Sequence, residues 1–239
     1  MDEILEKKKI FDENFDYIKE RISVAAKKSG RCADDITLLA ATKTVPVEVI
    51  NYAFEKGLTH MGENRVQEYF EKLPNLIAPI EKRHFIGHLQ TNKVAKLVGT
   101  VSMIQSVGSE RLAAEISKRS LEKGIVTPVL LEVNIGEEIS KSGADPKEML
   151  NLCEKCATLE GIKVEGLMAI PPICEETDKM REIFSNIYRL FIDIREKNID
   201  NIMMTTLSMG MSSDYELAIE EGATMVRVGS SLFGKRIYK

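Results

Sequence analysis

The sequence contains no tryptophan, few aromatic residues and only four cysteines, and each scarcity narrows the possible classes of protein. Four cysteines among 239 residues are too few for a disulfide scaffold. Cys153 and Cys156 have the spacing of some metal and redox sites, but no second cysteine or histidine pair accompanies them, so neither role is indicated. We expect Cys32 and Cys174 to be ordinary reduced thiols.

Excess charge and long apolar runs are also absent. A net charge of −4 and an isoelectric point near 5.6 are unlike the strongly basic surfaces that bind nucleic acids or anionic membranes. No apolar stretch approaches the ~20 residues of a membrane-spanning helix, and the start, Met1-Asp2-Glu3, is too acidic for a signal peptide. We therefore expect a cytoplasmic protein without nucleic-acid or membrane partners, either a monomer or a homodimer.

What the chain does contain is an alternation of short apolar runs with longer amphipathic segments. The apolar runs are typical of buried strands. There are eight: Ile36–Lys43, Thr59–Gly62, His84–Gly87, Met103–Val107, Pro128–Asn134, Val164–Ile170, Met203–Met209 and Met225–Gly229.

The amphipathic segments predict helices. Residues 1–29 are expected to form one long helix that Gly30 ends, because apolar residues recur there at spacings of three, four and seven. Pro46, Pro146 and a capping box of Ser213 and Glu216 mark helix starts. The predicted later helices are Val47–Lys56, Arg65–Leu73, Thr91–Leu97, Ser109–Lys123, Pro146–Leu159, Thr177–Lys197 and Ser213–Glu221.

Strands that alternate with helices pair in parallel through right-handed crossovers. Eight such units predict a closed (β/α)₈ barrel of the TIM type, for which ~250 residues is typical, rather than an open doubly wound sheet. No linker or change of composition divides the chain. We expect one domain over residues 1–239, with the extra helix in residues 1–30 and the barrel in residues 36–236.

Candidate site residues lie at the ends of these runs. Because barrel active sites form at the carboxyl ends of the strands, the residues should share one rim. They are Lys43 at the end of the first run, Glu63 and Asn64 after the second, His88 after the third, Ser208 and Met209 at the end of the seventh, and Gly229 and Ser230 at the end of the eighth.

Lys43 is a candidate for covalent chemistry. A lysine amine has an ordinary pKa near 10.4, but burial can lower it and make Schiff-base formation feasible. The apolar run before Lys43 provides such a setting. A solvated lysine at a strand end remains the alternative interpretation.

Two serine- and glycine-rich segments are suited to a phosphate. Ser208, Gly210 and the hydroxyls of Ser212 and Ser213 lie before or at a predicted helix start, and Gly229-Ser230-Ser231 lies at the end of the last run. Barrels often bind phosphate after strands seven and eight. An amine opposite an anion site indicates pyridoxal 5′-phosphate (PLP), whose aldehyde condenses with lysine. Turns and helix caps alone would also explain these residues.

Two nucleotide-binding motifs are excluded. Residues 229–235 match most of a phosphate-binding P-loop, but Arg236 stands where serine or threonine would hold magnesium, and only three residues follow it. No Gly-x-Gly-x-x-Gly fingerprint follows a predicted strand, so a Rossmann site is unsupported.

His88 and Arg227 each have two interpretations. His88 could act as an acid, a base or a hydrogen-bond donor, or could be structural. Arg227 lies inside the eighth apolar run, where a guanidinium must be paired or functional. Opposite the pyridine nitrogen of PLP it would prevent protonation of that nitrogen. Facing outward, it would bind the Glu220-Glu221 region.

In combination these segments closely resemble the YggS/PROSC family of PLP homeostasis proteins, from Leu38 to Arg236. The resemblance rests on Ala41-Thr-Lys43-Thr, His60-Met-Gly-Glu-Asn64-Arg-Val-Gln-Glu68, His84-Phe-Ile-Gly-His88-Leu-Gln-Thr-Asn-Lys93, Gly166-Leu-Met168-Ala-Ile, Leu207-Ser-Met-Gly-Met-Ser-Ser-Asp214 and Val226-Arg-Val-Gly-Ser-Ser-Leu-Phe-Gly234.

The resemblance implies a barrel like the N-terminal domain of alanine racemase. It implies PLP bound as an internal aldimine on Lys43 and a pyridine nitrogen facing Arg227. Phosphate contacts would come from Ser208, Gly229, Ser230 and nearby amides, including those of Met209 and Gly210. Asn64, His88 and Met168 would line the pocket.

The resemblance implies a protein that buffers PLP and delivers it to apo-enzymes, without turning over a substrate. Racemases of this fold need a second base from a C-terminal β domain, and the sequence stops at Lys239, just past the eighth run. We therefore expect a PLP carrier that is not an enzyme, with no metal. The alternatives are a weak PLP-dependent amino-acid racemase and a phosphate-binding regulatory module that does not use PLP.

Overall fold

Eight short strands form a closed, all-parallel barrel in the computed structural model, which describes residues 2–135, 143–172, 174 and 176–234. Each strand pairs with the next, and β8 pairs with β1 to close the ring. The strands are β1 (Thr37–Ala41), β2 (His60–Glu63), β3 (Arg83–Phe85), β4 (Met103–Val107), β5 (Thr127–Val133), β6 (Ile162–Ala169), β7 (Ile202–Met211) and β8 (Met225–Val228).

Helices surround this barrel and bury their apolar faces against the strands. They are α1 (Asp2–Lys28), α2 (Val47–Glu55), α3 (Val66–Lys72), α4 (Thr91–Leu97), α5 (Glu110–Glu122), α6 (Met149–Ala157), α7 (Thr177–Glu196), α8 (Tyr215–Glu220) and α9 (Ser230–Phe233). The predicted (β/α)₈ barrel with an extra N-terminal helix is confirmed.

The helix α1 packs across the closing side of the barrel, against α8 and α9. The ring of Phe11 stacks on that of Phe233, with centroids 5.7 Å apart. Arg21 forms an ion pair with Glu216, and Lys28 Nζ lies 2.8 Å from Glu220 Oε1. Gly30 ends the helix with a φ of 73°, a conformation that glycine adopts without strain.

Two local predictions were wrong. The capping box of Ser213 and Glu216 does not form, because α8 begins at Tyr215 and the Asp214 carboxylate instead accepts from the Met211 amide at 2.6 Å. Strand β7 continues to Met211, so the predicted phosphate loop is partly strand.

The helix nearest the carboxyl end was also missed. Residues Ser230–Phe233 form the single turn α9, which is too short for its apolar spacing to reveal. Lys235 and Arg236, at the end of the rejected P-loop and of the predicted barrel range, lie outside the described residues.

Candidate functional site

Lys43 lies just after β1, at the carboxyl-end rim of the barrel, and its side chain is half-buried. Both neighbours are held by carboxylates. Thr42 Oγ1 donates to Glu63 Oε1 at 2.7 Å, and the amide of Thr44 donates to Glu68 Oε1 at 2.5 Å. Thr44 has a φ of 64°, which is unusual for a β-branched residue. These hydrogen bonds restrain the residues on either side of Lys43.

A largely buried lysine, Lys72, completes this arrangement. Lys72 Nζ lies 2.7 Å from both Glu63 Oε1 and Glu68 Oε1, and 2.8 Å from the carbonyl oxygen of Thr42. Burial raises the pKa of Glu63, whereas Lys72 and Thr42 oppose the rise. Glu63 Oε2 is buried without a hydrogen-bond partner in the described part of the chain.

A cavity of about 70 Å³ brings Lys43 together with Gly229, Ser230 and Gly234, which follow β8. This proximity results from closure of the barrel, because β1 and β8 are neighbours in register, with Ala40 opposite Val228. The turn after β8 also approaches β1 closely, since a β-carbon on Gly229 would lie 3.2 Å from the carbonyl oxygen of Ala41. Glu3 and Lys7 of α1 line the same cavity.

Ser212 ties the ends of β7 and β8 together. Its Oγ accepts from the amides of Gly229 at 3.1 Å and Ser231 at 3.2 Å, and its carbonyl oxygen accepts from Ser231 Oγ at 3.1 Å. The two serine- and glycine-rich segments therefore form one structural unit beside Lys43.

Arg227 is buried inside the barrel, so its interpretation as an outward-facing residue paired with Glu220 and Glu221 was wrong. Arg181 and Lys28 bind those carboxylates instead. Arg227 donates from Nη1 to the Oγ and carbonyl oxygen of Ser208, each at 2.7 Å, and from Nη2 to the carbonyl oxygen of Ala169, also at 2.7 Å.

The guanidinium of Arg227 has no ion pair with a carboxylate among the residues described here. Burial lowers the pKa of Arg227 to about 10, which still leaves it charged at neutral pH. The negative charges of Asp214 and Glu132 act against the effect of burial and offset part of the positive charge of Arg227.

Asn64 and His88 lie in the loops after β2 and β3, the strands that follow β1 around the rim. Asn64 Oδ1 is buried without a hydrogen-bond partner among the described residues. The loops after β2 and β3 touch, because a β-carbon on Gly87 would lie only 2.0 Å from the carbonyl oxygen of Asn64. The exposed His88 lines a separate cavity of about 350 Å³ with Ser106 and Ser109.

The remaining predicted site residues are all buried. Met168 faces the barrel interior and packs with Met103 and Leu130. Met209 belongs to the core between barrel and helices. Gly210, with a φ of 89°, packs so closely on α8 that a β-carbon there would lie 2.5 Å from Ala218 Cβ. Neither Met209 nor Gly210 lines the cavity at Lys43.

Lys72 and Gln105 were not predicted as site residues, although Lys72 bonds to Thr42, the neighbour of Lys43, and Gln105 bonds to Ser208. The sequence pattern does not distinguish Ser212 from Ser208 as the residue beside Gly229. The only signal for Gln105 was an amide within the apolar run Met103–Val107, and nothing in the local pattern pairs Lys72 with Glu63.

Within residues 2–135, 143–172, 174 and 176–234, no group of three or more His, Cys, Asp or Glu side chains is arranged to hold a metal ion. No helix in this part of the chain is long and apolar enough to cross a membrane. Cys153 and Cys156 are buried free thiols, and burial raises the pKa of each to about 12.

Comparison with known proteins gives consistent matches over nearly the whole chain. Residues 14–237 match the family described as "Alanine racemase, N-terminal domain". A protein of Aquifex aeolicus, named "Pyridoxal phosphate homeostasis protein", is 44% identical over 226 residues, which cover 95% of this chain and 98% of the relative.

Two solved structures also match. A protein of Bifidobacterium adolescentis, described as unknown, is 37% identical, with a TM-score of 0.88 and coverage of 95% of this chain and 96% of the other. PipY of Synechococcus elongatus, solved with PLP bound, is 32% identical, with a TM-score of 0.78 and coverage of 91% of this chain and 100% of PipY.

Proposed function

Because the chain belongs to the family of pyridoxal phosphate homeostasis proteins, we propose that it binds PLP and carries and buffers it in the cell without turning over a substrate. The observation that carries the proposal is the cavity in which Lys43 meets the turn after β8, with the buried Arg227 on the same strand. The PLP bound to PipY supports the choice of ligand.

The residues present fit PLP in charge and chemistry. The cofactor combines an aldehyde, a phosphate and a pyridine nitrogen. Lys43 offers an amine, and the cavity beside it is lined by Gly229 and Ser230. The buried positive charge of Arg227 favours a ligand that carries negative charge.

When bound, PLP supplies an aldehyde that condenses with an amine, with loss of one water, and a ring that withdraws electrons. Lys43 would provide the amine for a covalent link. The clamp on Thr42 and Thr44 limits where that amine can lie. Gly229 and Ser230 would receive the phosphate, and Ser212 would hold their turn in place.

The proposal assigns Ser208 to Arg227 rather than to the phosphate. Its hydroxyl is fully buried and engaged with Arg227 and Gln105. Asn64, His88 and Met168 remain proposed pocket residues, and Met209 and Gly210 would contribute through the backbone that orients Ser208. One domain over residues 1–239 contains every residue of this site.

A carrier role is supported by Arg227. A guanidinium is a permanent donor, so a pyridine nitrogen facing it stays unprotonated, and the ring is then a weak electron sink. The lining of the cavity at Lys43 includes Glu3 and Lys7 but no tyrosine or histidine among the described residues. This arrangement favours holding the cofactor over catalysis. The buried, unpaired Cys153 and Cys156 are compatible with a cytoplasmic location.

The first experiment tests the covalent link. Purified protein incubated with PLP should show a visible absorption band, and borohydride reduction followed by peptide mass spectrometry should place the label on Lys43. Lys43→Ala should abolish both signals. Lys7→Ala is the matched control, because it removes a lysine from the same cavity and should retain both. Absence of both signals in the wild-type protein would refute the covalent link to Lys43.

The second experiment separates a carrier from an enzyme. The PLP-loaded protein is incubated with a panel of L- and D-amino acids, and the loss of chirality is followed. We expect none at enzymatic rates, and rapid racemisation would establish the competing racemase function.

Delivery needs its own measurement. PLP transfer from the loaded protein to an apo-enzyme is compared with that from free PLP, with a PLP-trapping enzyme present. Faster activation by the loaded protein would support direct transfer. Equal rates would restrict the role to buffering.

A further inference from the structure

A chain of buried polar side chains runs through the barrel interior below Arg227. Ser208 of β7, Gln105 of β4 and His84 of β3 all point inward, and none is more than 5% exposed. Most of the other side chains that face the interior are apolar, such as Leu39. Polar side chains are normally buried in such an interior only where they form hydrogen bonds.

The hydrogen bonds of this chain are continuous. Arg227 Nη1 donates to Ser208 Oγ at 2.7 Å, and Ser208 Oγ donates to Gln105 Oε1 at 2.7 Å. The amide of Gln105 then donates from Nε2 to His84 Nδ1 at 2.8 Å. Four strands, β3, β4, β7 and β8, contribute one residue each.

The chemistry of the groups sets one direction for the chain. A guanidinium only donates, so Ser208 Oγ accepts from Arg227 and gives its single hydrogen to Gln105. The Gln105 amide nitrogen must then donate to an acceptor, and a neutral His84 with its proton on Nε2 provides one. Burial lowers the pKa of His84 to about 3, which agrees with the neutral form.

The consequence for Arg227 is a defined orientation. Its Nη1 donates both hydrogens to Ser208, and its Nη2 donates one hydrogen to the carbonyl oxygen of Ala169. The remaining N–H donors are therefore available to a ligand. A guanidinium on a flexible side chain loses less freedom on ligand binding when it is already held in place.

We propose that Gln105 and His84 are positioning residues for the cofactor: acting through Ser208, they hold Arg227 with its free donors toward the PLP ring. This rests on the proposed function. It adds that the protonation state and affinity of bound PLP depend on residues that do not touch it.

The test uses four variants of the full chain, with PLP as the probe. Gln105→Met replaces the amide by a side chain of similar length that cannot form the two bonds. Ser208→Ala and His84→Leu break the chain above and below Gln105. Ile104→Val is the matched control, because Ile104 is the fully buried neighbour of Gln105 on β4 and packs on the opposite side, toward the helices.

Three quantities are measured for each variant: the melting temperature without PLP, the dissociation constant for PLP, and the pH midpoint of the absorption band of bound PLP. We expect Gln105→Met to weaken binding about tenfold and to shift the pH midpoint by about one unit. The loss should be larger for Ser208→Ala and smaller, about threefold, for His84→Leu.

Ile104→Val should lower the melting temperature but leave the affinity and pH midpoint unchanged. The inference is overturned if Gln105→Met loses stability yet binds PLP with wild-type affinity and pH midpoint, which would make the chain purely structural. If Gln105→Met does not fold, Ser208→Ala and His84→Leu replace it in the test. Wild-type affinity and pH midpoint in both of these variants would overturn the inference, and the expected weakening in both would support it. Failure of the wild-type protein to bind PLP would instead refute the proposed function.

Discussion

Lys72 Nζ lies 2.7 Å from Glu63 Oε1, and both side chains are almost wholly buried, with 11% and 0% of their surfaces exposed. Lys72 also forms an ion pair with Glu68. One cation therefore binds both carboxylates that accept hydrogen bonds from Thr42 and Thr44, the residues before and after Lys43. The position of Lys43 therefore depends on a residue that follows it by almost thirty positions, at the end of α3.

Lys72→Met should be strongly destabilising. Removing one partner of a buried ion pair leaves the other charge uncompensated, so we expect a loss of about 3 to 5 kcal/mol in the free energy of unfolding, measured by urea denaturation. Lys9→Met, at the exposed Lys9–Glu13 pair, is the control and should change stability by less than about 1 kcal/mol.

The effect of Lys72→Met should also depend on pH. Burial already raises the pKa of Glu63, and the variant removes the cation that opposes this rise. A carboxyl group with a raised folded pKa binds more protons in the folded state, so stability is lost as pH increases. We expect the deficit relative to wild type to be larger at pH 8 than at pH 5. An equal deficit at both values would contradict this account.

Ser212→Ala tests the unit formed by the ends of β7 and β8. The variant removes the oxygen that accepts from the amides of Gly229 and Ser231. We expect PLP to bind about tenfold more weakly in equilibrium titrations, because the turn proposed to receive the phosphate loses its restraint. Ser213→Ala removes a neighbouring exposed hydroxyl and should bind normally. Similar weakening in both variants would argue against a specific role of Ser212.

The lowered pKa of His84 should make the free energy of unfolding depend on pH below about 6.5, the ordinary pKa of histidine. Its pKa is about 3 in the folded protein and about 6.5 when unfolded. Between these values only the unfolded state binds the proton, so the free energy of unfolding should fall by about 1.4 kcal/mol per pH unit on acidification from this group alone.

Urea denaturation between pH 5 and 7 measures this dependence, because the histidines dominate there. His84→Leu should flatten the slope, whereas Ile104→Val should keep the wild-type slope at lower overall stability. Nitrogen NMR near pH 6 should show His84 neutral with its proton on Nε2. A protonated ring at that pH would disprove the assignment.

The cysteines should differ sharply in reactivity. Cys153 and Cys156 are buried, with pKa values raised to about 12, so the reactive thiolate is scarce and inaccessible. Cys32 is exposed. We expect a thiol reagent to label Cys32 rapidly and the buried pair only in denaturant, as measured by peptide mass spectrometry. Fast native labelling at Cys153 or Cys156 would reopen a redox role for them.

Local patterns were sufficient for most of the secondary structure. The predicted helix Thr91–Leu97 and strand Met103–Val107 agree with the structure at both ends. Failures occurred where a tertiary contact overrides a local signal. Glu216 could have capped α8, but its carboxylate binds Arg21 of α1 instead.

The candidate site also contains features that the sequence predicted and one that it could not. Lys43, Gly229 and Ser230 were predicted to share a rim because strand ends in a barrel face one way, and one cavity contains them. Whether Arg227 faced inward or outward could not be decided from the run that contains it, because strands of this fold are buried on both faces and lack a simple alternation.

The sequence by itself determined the eight strand-helix units, the closed barrel they imply and the rim on which Lys43 lies, because these depend on periodicities within single segments. Only the tertiary structure decided the partners of its buried polar groups. Lys72 reaches Glu63, and Arg227 reaches Ser208 and through it Gln105. Such bonds join residues of different strands and helices, and they exist only when closure and register bring side chains within about 3 Å of each other.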